Sequence, residues 1–279
     1  MGCGSSNITT PADLERSQQD RMIKSNLARF GRKILVMSGK GGVGKSTVAG
    51  ILALLLSAKG HKVGLLDVDL HGPSIHLMMN VKGGLNMPEG GGVRPYSYSN
   101  NLSIVSMGML LGEKDTAVIW RGPLKISAIR QFISDIEWGD LDYLVVDSPP
   151  GTGDEPLTVA QTIPDAEALI VTTPQEVSLA DVRKSINFCR QVNMKIMGVV
   201  ENMSGFACPH CGERVDIFGK GGGAKMASQQ QVPMLGEIPI DPDVVAMADN
   251  GGLDSLVEKP DSEIRRAYDK ILSRIIGPE

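Results

Sequence analysis

Aromatic residues supply only 4% of the 279 positions, so a core has to be built from aliphatic side chains and from the 14 methionines. Cysteine is scarce too. Cys3, Cys189, Cys208 and Cys211 do not make a disulfide framework in a chain this long, and a reducing compartment favours a metal or redox role for the close pair. Long basic runs are missing and the formal charge is -4, which argues against nucleic acid as a primary partner. No apolar stretch reaches the roughly 18 residues of a membrane span, and the N-terminus lacks the apolar core of a signal peptide. A cytoplasmic protein with no membrane partner is the expectation.

Glycine is plentiful, at 33 residues, and hydrophobic residues make up 42% of the chain. Apolar runs at Ile34 to Met37, Val63 to Leu66, Tyr143 to Val146, Ala168 to Thr173 and Lys195 to Val200 read as buried strands. They alternate with helical segments such as Val48 to Ala58 and Leu179 to Val192, which predicts an α/β fold with a mostly parallel central sheet flanked by helices on both faces. Residues 1–30 read as a flexible, peripheral N-terminal arm, with a short helix opening near Pro11. The opening Met1-Gly2-Cys3-Gly4-Ser5-Ser6 also fits an N-myristoylation pattern, although a motif this short is read as coincidence.

The densest motif follows the first strand. Gly39, Gly41, Gly42 and Gly44 alternate with Lys40 and Val43 and end in Lys45-Ser46-Thr47 at the mouth of a helix, matching G-x-x-x-x-G-K-[ST]. Phosphate oxygens need several donors converging on one point. Successive backbone N–H groups supply them where no side chain blocks approach, and a helix N-terminus adds its dipole. Lys45 can reach the outer phosphates, and Ser46 offers a hydroxyl to Mg2+. A nucleotide-binding P-loop domain over residues 31–279 is the resulting expectation.

Two further strands end on acids. Asp67 and Asp69 leave one at its C-terminal end, where parallel sheets bind ligands, and Asp147 closes another before a Ser148-to-Asp154 glycine turn. Such acids are costly unless a cation or a reacting water uses them; Asp147 suits a magnesium held through water. Gly151 could sense a terminal phosphate through its N–H.

Cys208-Pro209-His210-Cys211-Gly212 is the second chemical feature, within an insertion near residues 205–223. Two residues between cysteines allow both thiolates to meet one metal, but half a tetrahedral site is incomplete. A two-fold dimer would bring two pairs together, enough for a 4Fe-4S cluster or a structural zinc; a redox dithiol is the third reading.

With both features present, the sequence resembles the Mrp/ApbC-type iron-sulfur cluster carriers within the MinD/ParA group of deviant Walker A ATPases. The segments that carry the likeness are GKGGVGKST (39–47), DVDLHGPS (67–74), VIWRGP (118–123), LDYLVVDSPPGTGD (141–154), ENMS (201–204) and CPHCG (208–212). The resemblance implies slow ATP hydrolysis in a homodimer, with Lys40 reaching the partner's nucleotide, Asp69 positioning the attacking water, and Cys208 and Cys211 holding a cluster destined for apo iron-sulfur proteins. It also implies that Asn202 reads the base edge, with Pro239 and Asp241 as weaker candidates for that pocket. The contrasting reading is a ParA/MinD-like positioning ATPase with zinc at the cysteines, for which the basic residues of the C-terminal segment, Arg265, Arg266, Lys270 and Arg274, would have to form a binding face.

Overall fold

The protein is described by a computed structural model covering residues 11–70, 72–85, 92–109 and 122–277. The N-terminal acylation pattern and most of the VIWRGP segment lie outside the described residues. In chain order the elements are α1 (Pro11–Leu27), β1 (Phe30–Ser38), α2 (Lys45–Ala58), β2 (Val63–Asp67), the single turn α3 (Ile75–Met78), β3 (Tyr96–Ser99), β4 (Leu102–Ser106) and α4 (Gly122–Asp135). They continue with β5 (Leu141–Asp147), α5 (Asp154–Thr162), β6 (Glu167–Thr172), α6 (Glu176–Gln191), β7 (Lys195–Ala207), β8 (Arg214–Val215), α7 (Gly222–Gln229), β9 (Met234–Ile240), α8 (Pro242–Asp249) and α9 (Glu263–Ile276).

The strands form a single sheet in the order β3-β4-β2-β5-β1-β6-β7-β8, with β9 also paired to β7. All pairings are parallel except the edge pairs β3 with β4 and β7 with β8. The central strands are apolar throughout because both their faces are covered. Along β1, Ile34 and Val36 join the core layer under α2 and α9, whereas Leu35 and Met37 join the opposite layer with α4, α5 and α6. This is the predicted fold class, and the register sets Asp67 of β2 beside Asp147 of β5 at the C-terminal edge.

The N-terminal arm needs a correction over residues 11–30. Ile23 and Leu27, four residues apart on one face of α1, are buried together with Phe30 at the start of β1, and the three pack in the layer containing Ile129, Phe132 and Ile133 of α4. Asn26 adds hydrogen bonds from its amide to the carbonyls of Ile133 (3.0 Å) and Ser134 (2.9 Å). The loose periodicity of this stretch hid the docking, since three apolar positions are enough when the facing helix supplies the rest.

The C-terminal helix is committed inward as well. Ile264, Tyr268, Ile271, Leu272 and Ile275 of α9 are buried in the core. Its arginines have partners in the fold: Arg265 pairs with Asp269, Arg266 donates to the Asp261 carbonyl, and Arg274 donates to the carbonyls of Met234 and Leu235. An amphipathic surface anchor would need that apolar face free.

Because Ile23 joins the core, Ile23→Ala should cost about 2–4 kcal/mol in urea unfolding, whereas truncation in an undocked arm would stay within about 0.5 kcal/mol.

Candidate functional site

The glycine loop joins β1 to α2 at the C-terminal edge of the sheet. Gly44 precedes the first helical residue at a positive φ of 80°, and its carbonyl accepts from Val48 N–H at 3.0 Å, so the first turn of α2 is formed with its N-terminus facing the loop. A Cβ at residue 44 would collide with the Asn202 amide, and one at Gly39 would meet the backbone of Asp181 in α6. Both glycines are therefore required by neighbouring protein as much as by any phosphate.

Lys45 is buried, and its ammonium donates to Asp147 at 2.5 Å and to the Ser46 hydroxyl at 3.3 Å. Asp67 and Asp147 are both fully buried. Asp67 accepts from Ser106 Oγ at 2.8 Å, from Asp69 N–H at 3.1 Å and from Ile75 N–H at 3.3 Å. Burial, reinforced by the negative charge of Asp147, still pushes the Asp67 carboxyl up to about 7. Burial also raises Asp147, against the pull of Lys45. The second Asp147 oxygen is buried with no hydrogen-bond partner among the described residues, while the carboxyl as a whole lies near the Ser46 hydroxyl. A hydroxyl, an unpaired carboxylate oxygen and an excess of buried negative charge form a donor set suited to magnesium.

Asp69, 8% exposed, accepts from Gly72 N–H at 3.3 Å. Lys40 is partly exposed on the loop, with no ion-pair partner among the described residues. Gly151 departs from the sequence expectation. Its N–H, assigned there to a phosphate, donates to the Ser38 carbonyl at 2.8 Å, because the chain turns back over β1 directly after β5. Contact with a phosphate would require that bond to break.

Asn202, Pro239 and Asp241 come together around a cavity of about 640 Å3 that Thr47 also lines, with mostly apolar walls from residues such as Met78, Met203, Phe218 and Val244. The Asn202 amide also donates to the Val43 carbonyl at 2.9 Å, tying β7 to the glycine loop. Asp241 caps α8, accepting from Asp243 N–H at 2.8 Å, which occupies one of its oxygens.

Beyond Asn202, β7 runs on to Ala207 and turns through the cysteine knuckle into β8. Cys208 N–H donates to the Glu213 carbonyl at 2.9 Å, and Gly212, at a φ of 73°, donates to the Cys208 carbonyl at 2.8 Å. The N–H groups of His210 and Cys211 turn toward the Cys208 sulfur and hold its thiol below the usual range. Cys208 is half-buried, Cys211 exposed and Cys189 buried in the core. Among the described residues no group of three or more His, Cys, Asp or Glu could hold a metal, so none of them supplies the pair with a third ligand. Two participants escaped the sequence reading. Ser106 ends its strand without any motif, and Glu201 is fully buried, bonded to Ser204 Oγ at 2.7 Å and to the N–H groups of Gly221 and Gly223.

The chain is 46% identical over 277 residues to an iron-sulfur cluster carrier protein of Methanocaldococcus jannaschii, covering 99% of this chain and 96% of that one. It is 49% identical over 257 residues to the cytosolic Fe-S cluster assembly factor CFD1 of Kluyveromyces lactis, covering 88% and 90%. A nucleotide-binding protein of Archaeoglobus fulgidus, solved with ADP and with cobalt found in it, is 40% identical and superposes with a TM-score of 0.75 over 85% of this chain and 93% of its own. The cell division ATPase MinD of Pyrococcus furiosus shares the fold at 23% identity, with a TM-score of 0.63 over 88% of this chain and 98% of that one. The family model of NUBPL iron-transfer P-loop NTPases, of the ParA type, matches residues 29–276, nearly the whole chain, and the chain belongs to that family.

Proposed function

We propose that this protein is a cytoplasmic ATPase that carries a labile 4Fe-4S cluster and hands it to apo iron-sulfur proteins. The observation that carries this reading is the coexistence, on one sheet, of a Lys45, Asp147 and Ser46 phosphate-magnesium constellation with a Cys208 and Cys211 pair, half-buried and exposed, that has no further ligand among the described residues. The names of the relatives support the same cargo.

Gly39 to Thr47 would wrap the phosphates of ATP, with the α2 N-terminus and Lys45 offsetting their charge, while the base enters the cavity beside Asn202, Pro239 and Asp241. Mg2+ would be held by Ser46 and, through water, by Asp147, supplying charge neutralisation at the phosphates. Asp69 is suited to orienting a water, since it stands at the end of β2 beside the buried acids. Lys40, which has no ion-pair partner among the described residues, is available to a second copy, and the same two-fold pairing would supply the second cysteine pair. The cluster is cargo, bridged between chains and released when hydrolysis changes their arrangement. Residues 31–279 act as one ATPase domain, with the cysteines on its 205–223 insertion.

Replacing both cysteines, Cys208→Ser with Cys211→Ser, should abolish the broad visible absorption acquired on anaerobic iron and sulfide reconstitution while leaving ATP affinity unchanged. A double variant that still reconstitutes, or a wild-type protein that takes up only colourless zinc, would sink the cluster assignment. Lys45→Ala should remove ATP binding, and Lys40→Ala should keep binding but lower hydrolysis about 100-fold.

Asp67 gives a pH-dependent outcome. Its carboxyl titrates near 7 in the folded chain and near 3.8 when unfolded, so the folded state holds the extra proton and this group's contribution to stability declines as pH rises between those values. Asp67→Asn should therefore raise the Tm of the nucleotide-free protein at pH 8 by at least about 2–4 °C, with a smaller gain at pH 5, as followed by calorimetry.

A further inference from the structure

The cavity beside the glycine loop has a wall contributed by neither the loop nor the sheet edge. Ile217 and Phe218 line it together with Thr47, Asn202, Pro239 and Asp241. They lie between β8 and α7, on the same excursion that presents Cys208 and Cys211. Ile217 is 54% exposed and Val215 is 48% exposed, so this excursion holds large β-branched side chains half in water. A single exposed isoleucine is ordinary. An isoleucine and a phenylalanine on the rim of an apolar cleft whose other end is a phosphate loop have a natural occupant, the flat apolar base of a nucleotide.

The excursion is pinned at both ends and unsupported by helix or sheet in the middle. At its start, Arg214 donates to the Ser204 carbonyl at 3.2 Å and pairs with Glu263 at 3.1 Å. At its end, the buried Glu201 carboxylate takes the N–H groups of Gly221 and Gly223, and its other bond reaches back to Ser204. Residues 216–221 between these anchors form an irregular turn, in which Gly219 N–H donates to the Asp216 carbonyl at 3.1 Å. The cysteine knuckle is on the near side of the same anchors, through the pairings of Phe206 with Val215 and Ala207 with Arg214. A push on Phe218 is therefore felt by β8, and through β8 by the knuckle.

We propose that Ile217 and Phe218 close over the base of bound ATP and that this contact is how nucleotide occupancy reaches the cysteines. The inference rests on the reading of the cavity as the base site. Asn202 supplies the opposite handle, since it holds the glycine loop from β7, the strand that leads to Cys208. The nucleotide would thus lie between two parts of one continuous segment, its phosphate loop tied to the segment's start and its base covered by the segment's return.

The experiment uses the full-length chain carrying Cys3→Ser. ATP and inorganic tripolyphosphate affinities are measured by calorimetry, and the iodoacetamide alkylation rates of Cys208 and Cys211 are followed by mass spectrometry with and without ATP. In this parent chain ATP should change the alkylation rates at least about threefold, equivalent to about 0.65 kcal/mol of coupling. Phe218→Ala should weaken ATP roughly tenfold, the loss of one base-aromatic contact, leave tripolyphosphate binding unchanged, and erase the rate change at saturating ATP. Ile217→Ala should do the same to a smaller extent, and far-UV circular dichroism and the unfolding midpoint check that the exposed Ile217 and the partly exposed Phe218 tolerate truncation. Wild-type ATP affinity in both variants, or alkylation rates that ignore ATP in the parent chain, overturns the proposal while leaving the ATPase reading intact. Equal weakening of ATP and tripolyphosphate assigns the effect to the loop and overturns it too. A parent chain that binds no ATP removes the underlying reading along with it.

Discussion

Two carboxylates and one ammonium buried at the end of a parallel sheet form the constraint around which the molecule is arranged. Strand pairing sets Asp67 against Asp147, and among the described residues Lys45 is the cation that balances them. Taking such charges out of water costs several kcal/mol each before any pairing is counted. The surroundings offset part of this: Ser106 and the N–H groups of Asp69 and Ile75 all serve Asp67, while one oxygen of Asp147 has no partner. A site left that unbalanced is stable only because the aliphatic layers on both faces of the sheet hold its strands in place. Its remaining charge is what makes it receptive to a cation.

The position of the site follows from the winding of the sheet. β1 and β5 lie side by side in its middle, so the loop leaving β1 and the turn leaving β5 emerge together, and Gly151 is drawn back onto Ser38. β6 separates β1 from β7, yet β7 outruns it by several residues. That overhang first meets the glycine loop through Asn202 and then carries the cysteine knuckle clear of the sheet. One strand thus carries both the Asn202 tie to the glycine loop and the lead into the cysteine knuckle.

Much of this was legible in the sequence for a physical reason. A phosphate loop must be glycine-rich and flanked by strand and helix, buried strands must be continuously apolar, and acids at their ends are rare enough to be noticed. The partners that hold those residues were not legible, because they are set by distance in space. Ser106 belongs to no pattern, Glu201 acquires its role only when Gly221 and Gly223 fold back onto it, and the docking of α1 depends on the face that α4 presents. Gly151 was read for its chemistry, whereas the tight turn over β1 had already engaged its N–H. The glycines at 39 and 44 satisfied the motif and also answered to Asp181 and Asn202, a packing demand that no local pattern reveals.

On the proposed reading, the knuckle, with two sulfurs and no third ligand among the described residues, would tie retention of a bound cluster to mass action. Any metal or cluster that needs four thiolates can be held only while a second molecule contributes the rest, so retention weakens on dilution and strengthens with crowding of like chains. Tenacity then becomes a property of the population, and a recipient offering a complete set of ligands can draw the cargo away without help from a stronger sulfur bond.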